Sequence, residues 1–271
     1  MTTTADKVAQ FRKLHEGPGA FVMPNPWDAG SAKVLAGLGY KALASSSGAL
    51  AFTLGRVDGA NLVTREQAIA HAKQIADATD LPVNGDLERG FGDSPDDAAE
   101  TIRQAAAAGL AGASIEDATA NPDKPIYDLE HAKDRIRAAA EAAKNAENGF
   151  VLTARAENFL YGISDLADTI ARLQAYEEAG ADVLYCPGVT DLDDIRAVCD
   201  AVGKPVNVLP LTPTLTVKAI EDAGAKRISL GTWFHNAALA GFLQAAQELK
   251  DNGTFEFFGN SRADVKPYLQ S

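Results

Sequence analysis

The stretch from Val83 to Asp93, VNGDLERGFGD, is an apolar run that ends in two carboxylates and then breaks into glycines. It begins as a buried strand would, and Gly90 and Gly92 allow the backbone that follows to approach a ligand closely. Asp86 and Glu88 stand where the predicted strand ends. This pattern is typical of a strand that delivers functional carboxylates to one edge of a sheet.

A second acidic strand end follows about 28 residues later, counted along the sequence. Residues 112–115 form a short apolar run, and Glu116 and Asp117 come directly after it. Neighbouring strand ends would bring these acids close to Asp86 and Glu88, where their charges repel unless a cation lies between them. Hard oxygen ligands favour Mg²⁺ or Mn²⁺ over zinc. The alternative is a set of solvated loop acids, which an acidic chain has in plenty.

The composition indicates a globular protein and narrows the classes of partner. The chain has 271 residues, of which 46% are hydrophobic and 23% charged, with a net charge of -12. This charge makes nucleic acid and anionic membranes poor partners. Cys186 and Cys199 lack zinc-site or disulfide spacing. With neither a signal-like N-terminus nor an apolar run of about 18 residues, a cytoplasmic protein is expected.

A repeated junction predicts the fold class. Four times a helical stretch stops at a glycine and a short apolar strand follows, at Gly39, Gly109, Gly180 and Gly224. Eight strands alternate with helices, which predicts parallel pairing and a single (β/α)8 TIM barrel domain over residues 1–271. A doubly wound open sheet is the alternative, but no Gly-x-Gly-x-x-Gly opens a helix. The less regular tail from about Gly253 is expected to pack against a helix or another subunit.

The predicted elements are as follows. Four of the predicted strands follow the glycine junctions and end at Leu43, Ile115, Tyr185 and Leu230. Four more predicted strands occupy 21–24, 81–86, 150–154 and 205–209. Helices are predicted near 7–15, 64–79, 95–108, 128–146, 165–179, 190–201 and 214–223, with another between Asp28 and Gly39.

Polar side chains are concentrated after the predicted strands, where barrel enzymes place their functional groups. They are Asn25, Asp28, Ser45 to Gly48, Asp86, Glu88, Glu116, Asp117, Arg155, Glu157 and Asn207. The planar fork of Arg155 suits a substrate carboxylate, and an ion pair with Glu157 or Glu116 is its alternative role. The four histidines, His15, His71, His131 and His235, are expected to be structural or exposed, and Cys186 to be a small buried residue.

These motifs resemble those of the isocitrate lyase/phosphoenolpyruvate mutase superfamily over roughly Phe21 to Phe242. The likeness lies in five segments, in order: Pro24 to Ala29, Ser46 to Gly48, Asp86 to Gly92, Ile115 to Asp117, and Ala154-Arg155. The third segment, DLERGFG, matches the metal motif Asp-x-Asp-x-Gly-Tyr/Phe-Gly. The resemblance implies a barrel with Mg²⁺ at its mouth, a small keto or hydroxy acid substrate, and chemistry through an enolate of pyruvate. It also implies a homo-oligomer, often a tetramer that exchanges a C-terminal helix between subunits.

Carried over residue by residue, the resemblance gives each motif a role. Asp86, Glu88 and Glu116 would hold Mg²⁺ directly or through water. The substrate-binding residues would be Ser46, Ser47, Gly48, Arg155 and Asn207, and the catalytic residues Asp58, Arg155 and Ser47.

The departures from the family pattern bear on the reaction. Glu88 replaces the usual aspartate, and Ser45 stands where an aromatic residue is common. The loop at 117–127 lacks the Lys-Lys/Arg-Cys-Gly-His sequence that carries the acidic cysteine of the lyases, as in short-loop, mutase-like members. We therefore expect negligible isocitrate cleavage, and decarboxylation or a related carbon–carbon cleavage of a keto or hydroxy diacid instead. Phosphorus–carbon chemistry and a catalytically silent keto-acid-binding protein are the alternatives.

Overall fold

The computed structural model describes residues 2–259 and 263–269, which form a (β/α)8 barrel. Its eight parallel strands pair in the order β1-β8-β7-β6-β5-β4-β3-β2. They are β1 Phe21–Met23, β2 Leu43–Ala44, β3 Val83–Asp86, β4 Gly112–Glu116, β5 Val151–Arg155, β6 Val183–Tyr185, β7 Val206–Val208 and β8 Arg227–Ser229. Between β1 and β2, the Ala44 N–H donates to the carbonyl of Pro24 at 3.1 Å, so the barrel is nearly closed. The predicted fold class is confirmed.

Helices surround the strands and follow the predicted alternation. They are α1 Thr4–Glu16, α2 Ala29–Gly37, α3 Ser47–Thr53, α4 Arg65–Asp77, α5 Pro95–Ala107, α6 Leu129–Lys144, α7 Leu166–Glu178, α8 Leu192–Ala201, α9 Val217–Asp222, α10 Trp233–Asn252 and α11 Lys266–Leu269. Short 3₁₀ turns lie at Asn158–Tyr161 and Glu256–Gly259. Within the described part of the chain, no helix combines the length and the apolar character needed to cross a bilayer.

The glycine junctions have the backbone geometry that the sequence predicted. Gly39, Gly109, Gly180 and Gly224 have φ values of 92°, 90°, 105° and 99°. These angles lie outside the range that most L residues adopt, so glycine releases the chain from each helix into the next strand.

Helix α1 covers the N-terminal end of the barrel, opposite the predicted site. Phe11 is fully buried against Phe21 and His15, and Val8 packs into the same apolar cluster. This packing closes the N-terminal end of the barrel, so the functional groups are expected at the other end, where the strands finish.

The structure corrects several predicted boundaries. Strand β2 starts at Leu43 rather than ending there. Ser46 to Gly48, which lie outside the predicted helices, mark the start of helix α3, with Ser46 as its N-cap accepting a hydrogen bond from the Ala49 N–H at 3.3 Å. Asp28 caps helix α2 and takes no part in the cavity described below.

The tail packs against its own chain. Helix α11 contacts α2, as expected of a tail that packs against a helix. Residues 260–262 and 270–271 of the predicted tail lie outside the described residues, and exchange of the tail between subunits stays a prediction.

Candidate active site

A cavity of about 240 Å³ opens at the C-terminal ends of the strands. Its walls come from almost every strand end, which explains why residues far apart in the sequence meet there. The lining includes Asn25, Ser45, Ser46, Ser47, Gly48, Asp58, Asn84, Asp86, Ser114, Arg155, Leu160, Tyr185, Asn207, Arg227, Ser229 and Thr232.

Asp86 lies at the centre of this arrangement and is held from two sides. One carboxylate oxygen accepts hydrogen bonds from the Ser47 N–H at 3.0 Å and the Ser47 hydroxyl at 3.1 Å. The Asp86 N–H donates to the Ser45 hydroxyl at 2.8 Å. Ser45, which departs from the family's aromatic residue, thus positions Asp86. In this arrangement the Ser47 donors, predicted to bind substrate, contact a carboxylate of the protein.

Arg155 forms ion pairs with three acids. Its Nε donates to Glu157 at 2.8 Å, and its Nη1 lies 2.9 Å from Asp86 and 3.2 Å from Glu116. These contacts are the alternative role that the sequence analysis named. These ion pairs engage Nε and Nη1, and no described residue hydrogen-bonds to Nη2, which could therefore donate to a ligand in the cavity that Arg155 lines. The substrate-binding role of Arg155 stays a prediction.

The environment raises the proton affinity of Glu88 and Glu116. Burial, followed by the charges of Asp86 and Asp58, raises the pKa of Glu88 to about 7. Burial also raises the pKa of Glu116, against the opposing effect of Arg155. Burial removes the water that stabilises a charged carboxylate, and a neighbouring negative charge repels it. Both effects favour the protonated form of a carboxyl group. The cluster therefore gains from a nearby cation.

The three predicted metal ligands do not form a preformed cage. Asp86 lines the cavity, whereas Glu88 lines a separate neighbouring hollow and Glu116 contacts Arg155. Glu88 has a φ of 47°, a conformation that costs a non-glycine residue of order 1–3 kcal/mol. Across the described ranges, no three His, Cys, Asp or Glu side chains converge as a metal cluster would require.

Gly48 and Asp58 are packed together at the mouth. A Cβ on Gly48 would lie 2.7 Å from an Asp58 carboxylate oxygen and 2.6 Å from a methyl carbon of Thr232. The close approach requires glycine at this position. Burial, followed by the charge of Asp86, raises the pKa of Asp58.

Asn207 lines the cavity floor beside a buried arginine that the sequence analysis did not single out. The Asn207 carbonyl accepts a hydrogen bond from Arg227 Nε at 2.8 Å, and its amide donates to Ser229 at 2.9 Å. The predicted contact of Asn207 with substrate is untested. Arg227 was missed because a Lys-Arg pair at a strand start is typical of a surface.

A second missed arginine supports the acidic segment from behind. Arg135 is fully buried and donates to the carbonyls of Arg89, Gly92 and Glu116. The sequence did indicate that Arg135 is buried, because it lies beside Ile136 on the apolar face of a predicted helix. It fixes the backbone on which Glu88 and Glu116 stand.

The loop at 117–127 stays away from the cavity. The Asp117 side chain is buried under the loop, where it binds Arg172 at 3.0 Å and the Tyr176 hydroxyl at 2.6 Å. Tyr127 donates to Asp93, and Lys124 pairs with Asp128. Among the described residues, no residue of this loop and none of the four histidines lines the cavity. Cys186 is buried, and burial raises the pKa of its thiol to about 12, in agreement with a packing role.

Known proteins share this sequence and fold. Residues 11–250 match the family profile described as phosphoenolpyruvate phosphomutase. The 2-methylisocitrate lyase of Escherichia coli K12 is 34% identical over 196 residues, covering 68% of this chain and 64% of the relative. A Mycobacterium tuberculosis H37Rv protein of uncharacterised function is 32% identical over 89% of both chains.

Two solved structures extend the comparison to the fold. A Burkholderia cenocepacia J2315 protein, provisionally named a lyase or mutase, has a TM-score of 0.95 at 47% identity, covering 99% of this chain and 97% of that one. A 2,3-dimethylmalate lyase has a TM-score of 0.84 at 27% identity, covering 94% and 90%. The prediction of a lyase-type enzyme is in agreement with these relatives, and the chain belongs to the isocitrate lyase/phosphoenolpyruvate mutase superfamily.

Proposed function

We propose that this protein is a Mg²⁺-dependent lyase that acts on a small α-keto or 2-hydroxy di- or tricarboxylic acid. The reaction would be a carbon–carbon cleavage or decarboxylation through an enolpyruvate-type intermediate. The observation that carries the proposal is that one cavity joins Asp58 and Asp86 to the cation Arg155. Acids that can hold a metal thus lie beside a group that can hold a carboxylate.

The donor set fits magnesium. All candidate ligands are carboxylate oxygens, and the charge of Asp86 contributes to the raised pKa values of Glu88 and Glu116. Mg²⁺ usually keeps several waters and binds through one or two carboxylates, so a three-residue cage is not required. Asp86, Glu88 and Glu116 would hold the ion directly or through water, and Mn²⁺ would serve as a substitute. The ion would supply positive charge for an oxyanion.

The substrate would be oriented by groups of the protein. Arg155 Nη2 would donate to a carboxylate, and Ser46, Ser47 and Gly48 border the same space. Asn207 would complete the floor. Asp58 lies at the mouth, and the raised pKa of its carboxyl suits a group that moves a proton.

The position of the loop at 117–127 limits the reaction. Cleavage of isocitrate requires an acid that protonates the departing carbanion, and this loop brings no titratable group to the cavity lining. Loss of CO₂ needs no acid on the leaving group. We therefore expect decarboxylation or a related cleavage, with negligible turnover of isocitrate.

Phosphorus–carbon chemistry is the second candidate, because the matching family profile is that of phosphoenolpyruvate phosphomutase. A phosphonate would be held by Ser47, Gly48 and Arg155. A catalytically silent keto-acid-binding protein would bind the same ligands and consume none.

A substrate panel tests the proposal. Oxaloacetate, 2-methylisocitrate, 2,3-dimethylmalate, isocitrate and phosphonopyruvate are incubated with the protein and Mg²⁺ and followed by NMR. We expect metal-dependent release of pyruvate from oxaloacetate, because its decarboxylation needs no acid on the leaving group. Turnover of phosphonopyruvate alone would move the assignment to mutase or hydrolase chemistry. Binding without turnover of any compound would support the silent binder.

The exposed apolar face of helix α10 supports a homo-oligomer, either a dimer or a tetramer. Phe242 and Leu243 are 66% and 63% exposed, and Leu239, one turn earlier on the same side of the helix, is 36% exposed. Contiguous apolar patches of this kind mark interaction surfaces. Light scattering of the wild type and of Phe242→Glu tests this, because the variant should dissociate.

A further inference from the structure

Arg227 is a buried cation at the floor of the cavity. It is 1% exposed and lines the same cavity as Arg155. Its Nε donates to Asn207 at 2.8 Å, its Nη2 to the Thr153 hydroxyl at 3.1 Å, and its Nη1 lies 3.4 Å from His15 Nε2.

Each of these partners is neutral. His15 Nδ1 lies 2.8 Å from the carbonyl of Phe11, so Nδ1 carries the proton and Nε2 accepts from Arg227. Burial, followed by the charge of Arg227, lowers the pKa of His15 to about 3, which keeps the ring uncharged near pH 7. In residues 2–259 and 263–269, no aspartate or glutamate pairs with Arg227.

Two other arginines near the site, the mostly buried Arg155 and the buried Arg172, are compensated by acids, whereas the fully buried Arg135 donates to backbone carbonyls and does not line the cavity. Arg155 pairs with three acids, and Arg172 pairs with Asp117 and Asp168. An arginine stays protonated in proteins, and a buried charge without a counter-charge is costly. An anion in the cavity would therefore interact strongly with Arg227.

Donors remain for such an anion. Each terminal nitrogen of Arg227 carries two hydrogens, and the described partners use one on each. Among the described residues, the side-chain oxygen Oδ1 of Asn84, a residue that lines the same cavity, is buried without a hydrogen-bond partner and would accept from a hydroxyl that reached it. The floor thus offers a cationic donor and a neutral acceptor, which matches a hydroxy acid.

We propose that Arg227 binds a second carboxylate of the substrate, so that the protein selects dicarboxylic keto or hydroxy acids over monocarboxylic ones. This inference rests on the proposed function, because it assumes that the cavity holds such an acid. The acids at the mouth repel an anion, and Arg155 is shared among three of them. Arg227 is the described arginine of the cavity whose charge is not committed to an acid.

The test compares malate with lactate, which differ by one carboxylate. Calorimetry in Mg²⁺ should give tighter binding of malate to the wild type. In Arg227→Met, malate affinity should fall roughly 10- to 100-fold, the range for charge-assisted hydrogen bonds, while lactate affinity stays within about 3-fold. Thr153→Val removes one hydrogen-bond partner of Arg227 but leaves the charge of Arg227 in place, so this variant should keep the preference for malate. Arg227→Lys should keep part of it.

Oxalate serves as the control for an intact mouth. Retained oxalate binding by Arg227→Met, with an unchanged circular dichroism spectrum, shows that the variant is folded. An unchanged malate preference in that variant, or an equal loss of malate, lactate and oxalate, would overturn the inference. A wild type that shows no preference for malate but is stabilised by chloride, with that stabilisation lost in Arg227→Met, would also overturn the inference. The anion bound by Arg227 would then be inorganic. Failure of oxalate to bind the wild type would instead count against the proposed function.

Discussion

Replacing Gly48 by alanine tests whether the mouth depends on the close packing of Asp58. The new Cβ would lie 2.7 Å from an Asp58 oxygen and 2.6 Å from Thr232, whereas ordinary contact begins near 3.4 Å. Asp58 must therefore retreat by about 0.7 Å, together with Thr232. Misplacement by about 1 Å can cost roughly 100-fold in rate, so we expect substrate turnover to fall by at least about 10-fold.

The stability change in Gly48→Ala has two opposing parts. Overpacking costs about 1 to 3 kcal/mol, and alanine in place of glycine in a helix returns up to about 1 kcal/mol. A net loss of about 1 to 2 kcal/mol lowers the Tm by roughly 2 to 8 °C. Gly241→Ala is the matched control, because it lies in helix α10 with open space around its Cβ position. Wild-type turnover and Tm in Gly48→Ala would refute the packing argument.

Three further perturbations test separate parts of the structure. The pKa of His15 is lowered from 6.5 to about 3, so on acidification the unfolded chain takes up a proton before the folded protein does. The free energy of unfolding should therefore fall below about pH 6.5, by about 2 kcal/mol at pH 5. Urea unfolding should show a weaker dependence of this free energy on pH in His15→Phe, and an equal dependence in both proteins would contradict the assignment. Glu88→Gly should raise the Tm, because it relieves a positive φ worth of order 1 kcal/mol, and should weaken Mg²⁺ binding measured by calorimetry; unchanged metal affinity would remove Glu88 from the site. Arg155→Lys keeps the charge but loses the planar fork, so oxalate affinity should fall by about 1 to 3 kcal/mol, and wild-type affinity would count against the role.

Local sequence signals were sufficient for the order of the strands and of most helices, although α3 and α10 lie outside the predicted helix ranges. The glycines at 39, 109, 180 and 224 mark helix ends because a positive φ is a property of the residue itself. A capping box formed by Thr64 and Gln67 gives the start of helix α4 in the same way. The barrel then follows from alternation and parallel pairing.

Contacts between distant strands could not be predicted in this way. That Arg155 pairs with Asp86 depends on the relative height of β3 and β5 in the barrel, which single strands do not encode. Arg227 and His15 meet only because α1 covers the bottom of the barrel. Helix α3 was missed because a Ser-Ser-Gly run resembles a loop, and its cap is visible only once Ser46 is placed.

The most direct test of the proposed function is the exchange of pyruvate methyl protons for deuterium. If the cavity stabilises the enolate of pyruvate, bound pyruvate should also lose a methyl proton to form that enolate. This holds whichever substrate is natural. ¹H NMR in D₂O should therefore show exchange that exceeds the rate in buffer, requires Mg²⁺ and is lost in Asp86→Ala. Saturating pyruvate that binds with Mg²⁺ yet exchanges no faster than in buffer would contradict the account.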